Sequence, residues 1–196
     1  MLRVIAVCTG TKYSQWYVDN LKHMVDTYSN LEYTAFEVIT NNKYDDERGV
    51  FNKIQMFDMF RDGQNIYFDL DILIKGDCNH FLRDELHVLH AHWRPPFHTP
   101  LNSSIISWKG DVSYVSDFVE GDPEYYMFKY NRGIDQLLYE NIEPKRYTKD
   151  DKYCSFQTEL EEKDEYAVYL FNQRYKEMVK DSWYQKYFMS PDSSIE

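Results

Sequence analysis

The stretch Ile66-Tyr67-Phe68-Asp69-Leu70-Asp71-Ile72-Leu73-Ile74 decides how this chain reads. An apolar run enters two carboxylates spaced one residue apart, and a second apolar run leaves them. In an extended backbone Asp69 and Asp71 point to one side and Leu70 to the other. A buried carboxylate without a partner is costly, so a strand delivering two of them marks a place that holds positive charge. Open α/β sheets bind ligands beyond the carboxyl ends of their strands. Two hard oxygen donors there suit Mg²⁺ or Mn²⁺, which keep waters and accept phosphate oxygens. The plainer alternative is two Asp residues that cap loop amides or start a helix, since Asp-x-Asp is common.

Working outward, the flanking sequence alternates between strand and helix patterns. Residues 4–8 form a short apolar, β-branched run that enters the loop Thr9-Gly10-Thr11. Ser14 then stands where it can cap a helix whose Trp16, Tyr17, Leu21, Met24, Val25 and Tyr28 recur with a period near 3.6, with Asp19, Lys22 and Asp26 on the opposite side. Residues 33–39 read as a strand. Residues 50–60 return to helical spacing and end at Asp62-Gly63. Strand, helix, strand, helix, strand before the acidic pair argues for an α/β fold with a largely parallel sheet. The second half predicts strands at 86–93, 103–108 and 167–171, helical spacing over 114–130 and 133–139, and a last helix over 173–188. Residues 1–189 read as one domain and 190–196 as a flexible C-terminal tail.

Composition bounds the function. The 196 residues carry 22 Lys+Arg against 33 Asp+Glu, a net charge of -11, with 43% hydrophobic and 17% aromatic residues. That much apolar surface excludes a disordered chain, and the length fits one domain. The acidic balance argues against nucleic acid as a partner, because phosphate backbones are bound through Lys and Arg. An anionic ligand such as a nucleoside diphosphate would need a metal to bridge carboxylates and phosphates. Cys8, Cys78 and Cys154 form no close pair or metal-ligand spacing, which fits a reducing compartment. With no targeting or membrane-spanning segment recognisable, the expected location is cytoplasmic.

The aromatic-ended strand followed by Asp69-Leu70-Asp71 resembles the metal-binding signature of GT-A-fold glycosyltransferases, especially the galactosyltransferase/glycogenin-like retaining group. Further segments match in order. Residues 9–13 stand where the family's first loop touches the nucleotide. Phe51-Asn52-Lys53-Ile54 matches the helix that brings a basic side chain near the donor. Asn102-Ser103-Ser104-Ile105-Ile106-Ser107-Trp108 resembles the strand beside the sugar, and Asp135-Gln136 the acceptor-facing pair. Residues 168–176 resemble a degraded Phe-His-Gly-x-Pro-Lys-Pro segment, with Asn172 where the family has a ligating His, Gln173 and Tyr175 where it has Gly and Pro, and Lys176 retained.

The resemblance implies a GT-A (nucleotide-diphospho-sugar transferase) fold, with a Rossmann-like, mostly parallel sheet flanked by helices in a single minimal domain. It implies a hexosyltransferase that moves a sugar from a nucleotide-diphosphate donor, UDP-sugar favoured, to a carbohydrate or other hydroxyl acceptor. Mn²⁺ or Mg²⁺ would sit on Asp69, Asp71 and Asn172. Thr9, Gly10, Tyr13, Lys53, Asp69, Asn102, Ser103 and Lys176 would contact the donor, and Asp135 and Gln136 would lie on the reacting face. A Lewis acid with Lys53 or Lys176 would stabilise the departing diphosphate. Retention is implied. Inversion would need a carboxylate base, for which Asp135 is available.

Two alternatives stay open. Asn172 and the altered final motif are compatible with a catalytically impaired sugar-nucleotide or glycan-binding module. A haloacid-dehalogenase-type phosphohydrolase also places Asp-x-Asp after an apolar strand, but on its first strand. The cluster His87-x-x-His90-x-His92 collects three imidazoles on neither a strand nor a helix face, so it reads as surface or acceptor-pocket histidines rather than a zinc site. Tyr125, Tyr126, Phe128, Tyr130, Trp183, Tyr184, Tyr187 and Phe188 fall mostly at core spacing, although aromatic faces also stack on sugars.

Overall fold

The structure, a computed structural model, describes residues 1–46, 49–155, 165–171 and 174–191. Strand β1 (Leu2–Val7) lies between two parallel neighbours, β2 (Ala35–Ile39) and β3 (Gln64–Phe68). The short β4 (Ile72–Ile74) follows the acidic pair, then β5 (His87–His90), β6 (Leu101–Lys109), β7 (Lys145–Arg146), β8 (Tyr153–Ser155) and β9 (Val168–Leu170). The main sheet has the order β2-β1-β3-β6-β5-β7. Within it only β6 runs against the others, antiparallel to both β3 and β5. A small second sheet, β4-β9-β8, takes up the second half of the apolar run. The sequence reads a short strand over 65–68 with the acidic pair at its tip, and β3 ends there at Phe68. Asp69-Leu70-Asp71 then turns the chain from one sheet into the other.

Strict alternation along the central strands builds a core on each face of the sheet. Val4, Ala6, Ile66, Phe68 and Ile105 face one core, which also holds α1 (Gln15–Tyr28) and the small sheet. Ile5, Val7, Tyr67 and Ile106 face the other, which holds α2 (Gln55–Met59), α3 (Tyr114–Glu120) and α5 (Ile134–Leu137). Trp108 is fully buried there against Phe57, and its indole N–H donates to the Phe60 carbonyl at 3.2 Å. Each such large apolar side chain stabilises the fold by about 1.5–3 kcal/mol.

The helices show where pattern and packing part. Helix α1 keeps its expected face, with Trp16, Tyr17, Leu21, Met24 and Val25 buried and Asp19, Lys22 and Asp26 exposed. The expected 50–60 helix begins as a 3-10 turn, Phe51–Ile54, before α2. Gly63, at φ +68°, ends that region in a conformation where a Cβ would lie 2.8 Å from the Met1 carbonyl. The 114–130 pattern is two helices, α3 and α4 (Pro123–Lys129). Gly121-Asp122-Pro123 breaks it, and Asp122 accepts from the Tyr125 amide at 3.1 Å as an N-cap.

The last expected helix is the clearest correction. Among the described residues of 173–188, helical conformation is confined to Arg174, in a 3-10 turn, α6 (Tyr175–Met178) and a 3-10 turn at Gln185–Tyr187. The Asp181 side chain accepts from the Trp183 amide at 2.9 Å, and its carbonyl from the Tyr184 and Gln185 amides at 3.1 and 2.9 Å. This side-chain turn competes with helix. It lets Tyr175, Tyr184 and Phe188 close around Phe171. At the start of the expected tail, the Ser190 carbonyl accepts from Trp16 Nε1 at 2.9 Å. Residues 192–196 lie outside the described set. No helix among the described residues is long and apolar enough to cross a membrane.

Candidate active site

The chain leaves β1 and β3 at neighbouring strand ends, where β6 begins. The Asp69 amide donates to the Ser104 carbonyl at 2.9 Å, locking the acidic loop to β6. The loops here, with the segment before α5, enclose a cavity of about 490 Å³. Thr9, Tyr13, Lys53, Asp69, Asp71, Asn102, Ser103, Asp135 and Lys176 all line it. Gly10, at φ +73°, belongs to the β1–α1 loop but not to the cavity wall. Gln136 lines a neighbouring cavity and donates to Glu140 at 2.5 Å. Asn172, the expected third metal ligand, lies outside the described residues, as does Gln173.

Asp69 is held by three groups. Lys53, itself buried in the wall, approaches it to 2.6 Å, the Tyr67 hydroxyl donates to the same carboxylate oxygen, and the Ser104 side chain adds a further hydrogen bond. Burial opposes ionisation of Asp69, but the Lys53 charge and these hydrogen bonds outweigh it and hold the carboxyl below its usual range. Lys53 also donates to Ser103 Oγ at 3.2 Å. Asp71 accepts from the Tyr13 hydroxyl at 2.6 Å and from Lys12 at 3.2 Å. Burial, together with the neighbouring Asp69 charge, pushes the Asp71 carboxyl above its usual range. Burial and the two carboxylates push the Tyr13 phenol up as well, so it stays a donor.

Beside this pair the floor is aromatic. Tyr13 meets Tyr17 edge-on at 4.9 Å, and Tyr17 lies 5.4 Å from the ring of Tyr175. The Tyr175 hydroxyl accepts from Asn20 at 2.8 Å, tying α6 to α1. Gly49, at φ +70°, lets the facing loop pass so close to Thr9 that a Cβ would stand 2.4 Å from the Thr9 carbonyl. Across the cavity Asp135 accepts from the Ser103 amide and from Arg94, both at 2.9 Å.

Lys12, Arg94, Arg132 and Tyr67 are the site residues that sequence spacing did not single out. Lys12 had a signal in its position next to Tyr13. Arg94 and Arg132 reach the site from loops whose path no periodicity reveals. Their presence changes the electrostatics expected from composition. Lys12, Lys53, Arg132 and Lys176 line the cavity against Asp69, Asp71 and Asp135, so an overall acidic chain presents a cation-rich pocket that does not repel a diphosphate.

Among the described residues no group of three His, Cys, Asp or Glu side chains gathers as a ready metal cage. The donor set nevertheless suits a hard cation bound in part by substrate. Two carboxylates line one cavity, and Mg²⁺-like ions commonly take one or two carboxylates and complete their shell with water and phosphate oxygens. Lys12 would have to release Asp71 as the cation enters.

No protein-family description and no curated protein sequence matches this chain. Solved structures do. A glycosyltransferase involved in the glycosylation of the major capsid of PBCV-1 superposes with a TM-score of 0.70 at 11% identity, over 90% of this chain and 96% of that one. The glycosyltransferase GlyE of Streptococcus pneumoniae TIGR4 gives 0.67 at 10% identity, over 100% of this chain but only 63% of GlyE. The galactosyltransferase LgtC, solved with donor and acceptor sugar analogs, gives 0.60 at 7% identity over 98% of each chain. The chain therefore has the GT-A-like fold of these glycosyltransferases.

Proposed function

We propose that this chain is a glycosyltransferase that moves a hexose from a nucleotide-diphosphate donor, a UDP-sugar by preference, to a hydroxyl acceptor with retention of configuration. One observation carries the reading. In a glycosyltransferase fold, an acidic pair and four cationic side chains converge on one cavity at the carboxyl ends of β1 and β3. Ligands of such sheets bind there, and a nucleoside diphosphate is an anion with a flat base.

Asp69 and Asp71 would hold Mn²⁺ or Mg²⁺. When bound, the ion supplies Lewis-acid stabilisation of the leaving diphosphate. The chain's own residues do the rest. Lys53 and Lys176 lie on the wall as cations for the phosphate oxygens, and Lys12 becomes available once it leaves Asp71. The Tyr13 ring and the Thr9 loop form the side of the cavity suited to the base and ribose. Asn102 and Ser103 present polar groups beside Asp135 for the sugar hydroxyls. Asp135, with both oxygens already accepting hydrogen bonds, is a fixed negative charge beside the reacting carbon rather than a free base. It favours the positive charge that develops as the glycosidic bond breaks. That assignment agrees with retention, which requires no strong base.

The test is incubation with a panel of nucleotide sugars and Mn²⁺ while free nucleoside diphosphate is followed. Metal-dependent release lost in Asp71→Asn supports transfer. Saturable binding without release indicates a binding module, and phosphate release from phosphomonoesters indicates a hydrolase.

A further inference from the structure

A second cavity, of about 1040 Å³, adjoins the first and shares Arg132, Gly133 and Asp135 with it. Its charges are unevenly committed. Both acids on its wall are already satisfied. Asp135 is bound by Arg94 and the Ser103 amide. Glu140 accepts from the Tyr130 hydroxyl at 2.8 Å and from Gln136 at 2.5 Å, with Lys129 at 3.5 Å. Arg132, by contrast, is exposed and makes no hydrogen bond or ion pair among the described residues. It stands on the partition between the two cavities. Two exposed aromatic rings also line the second cavity, Phe97 at 84% exposure and Tyr139 at 39%, the latter with the Arg146 guanidinium 5.3 Å from its ring centre.

An unpaired guanidinium in a cavity with exposed aromatic rings, Phe97 above all, is a recognisable pairing of chemistries. Ring faces stack on the C–H side of a pyranose, and a guanidinium takes a carboxylate or phosphate in a bidentate grip. A neutral sugar would leave the cation without a partner, whereas the wall offers no free acid to repel an anion. The position at the partition places whatever Arg132 holds next to Asp135, where the donor sugar would react. Building on the transferase reading above, we propose that the second cavity binds the acceptor and that the acceptor is a negatively charged carbohydrate, its carboxylate or phosphate bound by Arg132.

The experiment compares matched probes on the full chain by calorimetry: digalacturonate against 4-linked galactobiose, and galactose 6-phosphate against galactose. UDP is titrated separately in the presence of Mn²⁺. The acidic member of at least one pair should bind about tenfold or more tightly than its neutral counterpart, as a charge-assisted bidentate contact warrants. Added salt should erode that preference. Arg132→Ala should reduce it to about twofold or less, and Arg132→Lys should keep part of it as a point charge. The pair showing the preference tells carboxylate from phosphate. Equal binding within both pairs, no binding of any probe, or a preference that survives Arg132→Ala overturns the proposal. So does an Arg132→Ala variant that loses UDP affinity while keeping its glycan preference, because Arg132 would then serve the donor. If wild type prefers acidic sugars but does not bind UDP, the acidic-carbohydrate site stands and the transferase reading falls.

Discussion

Replacing Lys53 by Met puts the electrostatics of the acidic pair to a quantitative test. Lys53 approaches Asp69 to 2.6 Å with side-chain exposures of 11% and 19%. At that distance and an effective dielectric near 20, two unit charges attract by roughly 6 kcal/mol before desolvation is subtracted. Breaking a buried pair from one side typically destabilises by about 3–5 kcal/mol, because the remaining charge loses its partner. The Tyr67 hydroxyl still holds Asp69, so the lower end, about 3 kcal/mol, is expected. For a chain of this size that is a fall in melting temperature of roughly 6–12 °C.

The pH dependence fixes the cause. In the wild type the Asp69 carboxyl is held below its usual range. It therefore contributes stability that is present above the unfolded value near 3.9 and is lost as pH falls through the folded value. In Lys53→Met the balance reverses. Burial dominates, the carboxyl moves up, and its ionised form costs stability at neutral pH. The gap between variant and wild type should be widest near neutrality and close in acid. Thermal denaturation in chelated buffer, followed by circular dichroism across that range, reads both quantities. The double variant Lys53→Met/Asp69→Asn should recover most of the loss. A Lys53→Met melting curve indistinguishable from wild type, or a double variant no better than the single, refutes this reasoning.

Other consequences are independent. Asp71→Asn removes a carboxyl whose ionisation burial and Asp69 oppose, so at neutral pH the melting temperature should stay unchanged or rise by the equivalent of about 1 kcal/mol, while Mn²⁺-dependent UDP binding weakens. A fall equivalent to several kcal/mol would make Asp71 a structural cap. Gly49→Ala forces a side chain at φ +70° against Thr9 and should destabilise by about 1–3 kcal/mol, with a matching loss of UDP affinity because the Thr9 loop must shift. Tyr13→Phe deletes a 2.6 Å hydrogen bond to Asp71 but keeps the ring against Tyr17. Calorimetry should show Mn²⁺–UDP affinity maintained or improved, since the carboxylate is released from one competing donor.

The sequence revealed most clearly what depends on period. The 3.6-residue face of α1 was legible because one side packs against a core and burial selects residue type at fixed spacing. Strands β1 and β3 were legible as short apolar runs because both of their faces are buried. The acidic pair was legible for the converse reason: carboxylates do not follow an apolar strand without a partner. Three things were hidden. The pairing of 72–74 into a second sheet was invisible because an apolar residue satisfies either sheet equally. The 173–188 segment kept helical spacing in its aromatics, yet Asp181 offered the backbone competing hydrogen bonds and the ring cluster around Phe171 decided the path. Lys12 and Arg132 reach the site from loops whose path no periodicity reveals, so composition alone suggested a cavity hostile to anions, whereas with the expected Lys53 and Lys176 they line it with cations.

The account rests on a nucleoside diphosphate and a divalent ion meeting at Asp69 and Asp71, and calorimetric titration of UDP with Mn²⁺ measures that directly. Wild type should bind at one site with an affinity that drops when Mn²⁺ is omitted, and Asp69→Asn/Asp71→Asn should lose the metal-dependent part while staying folded. Equal UDP binding by wild type and the double variant, with or without Mn²⁺, would contradict it.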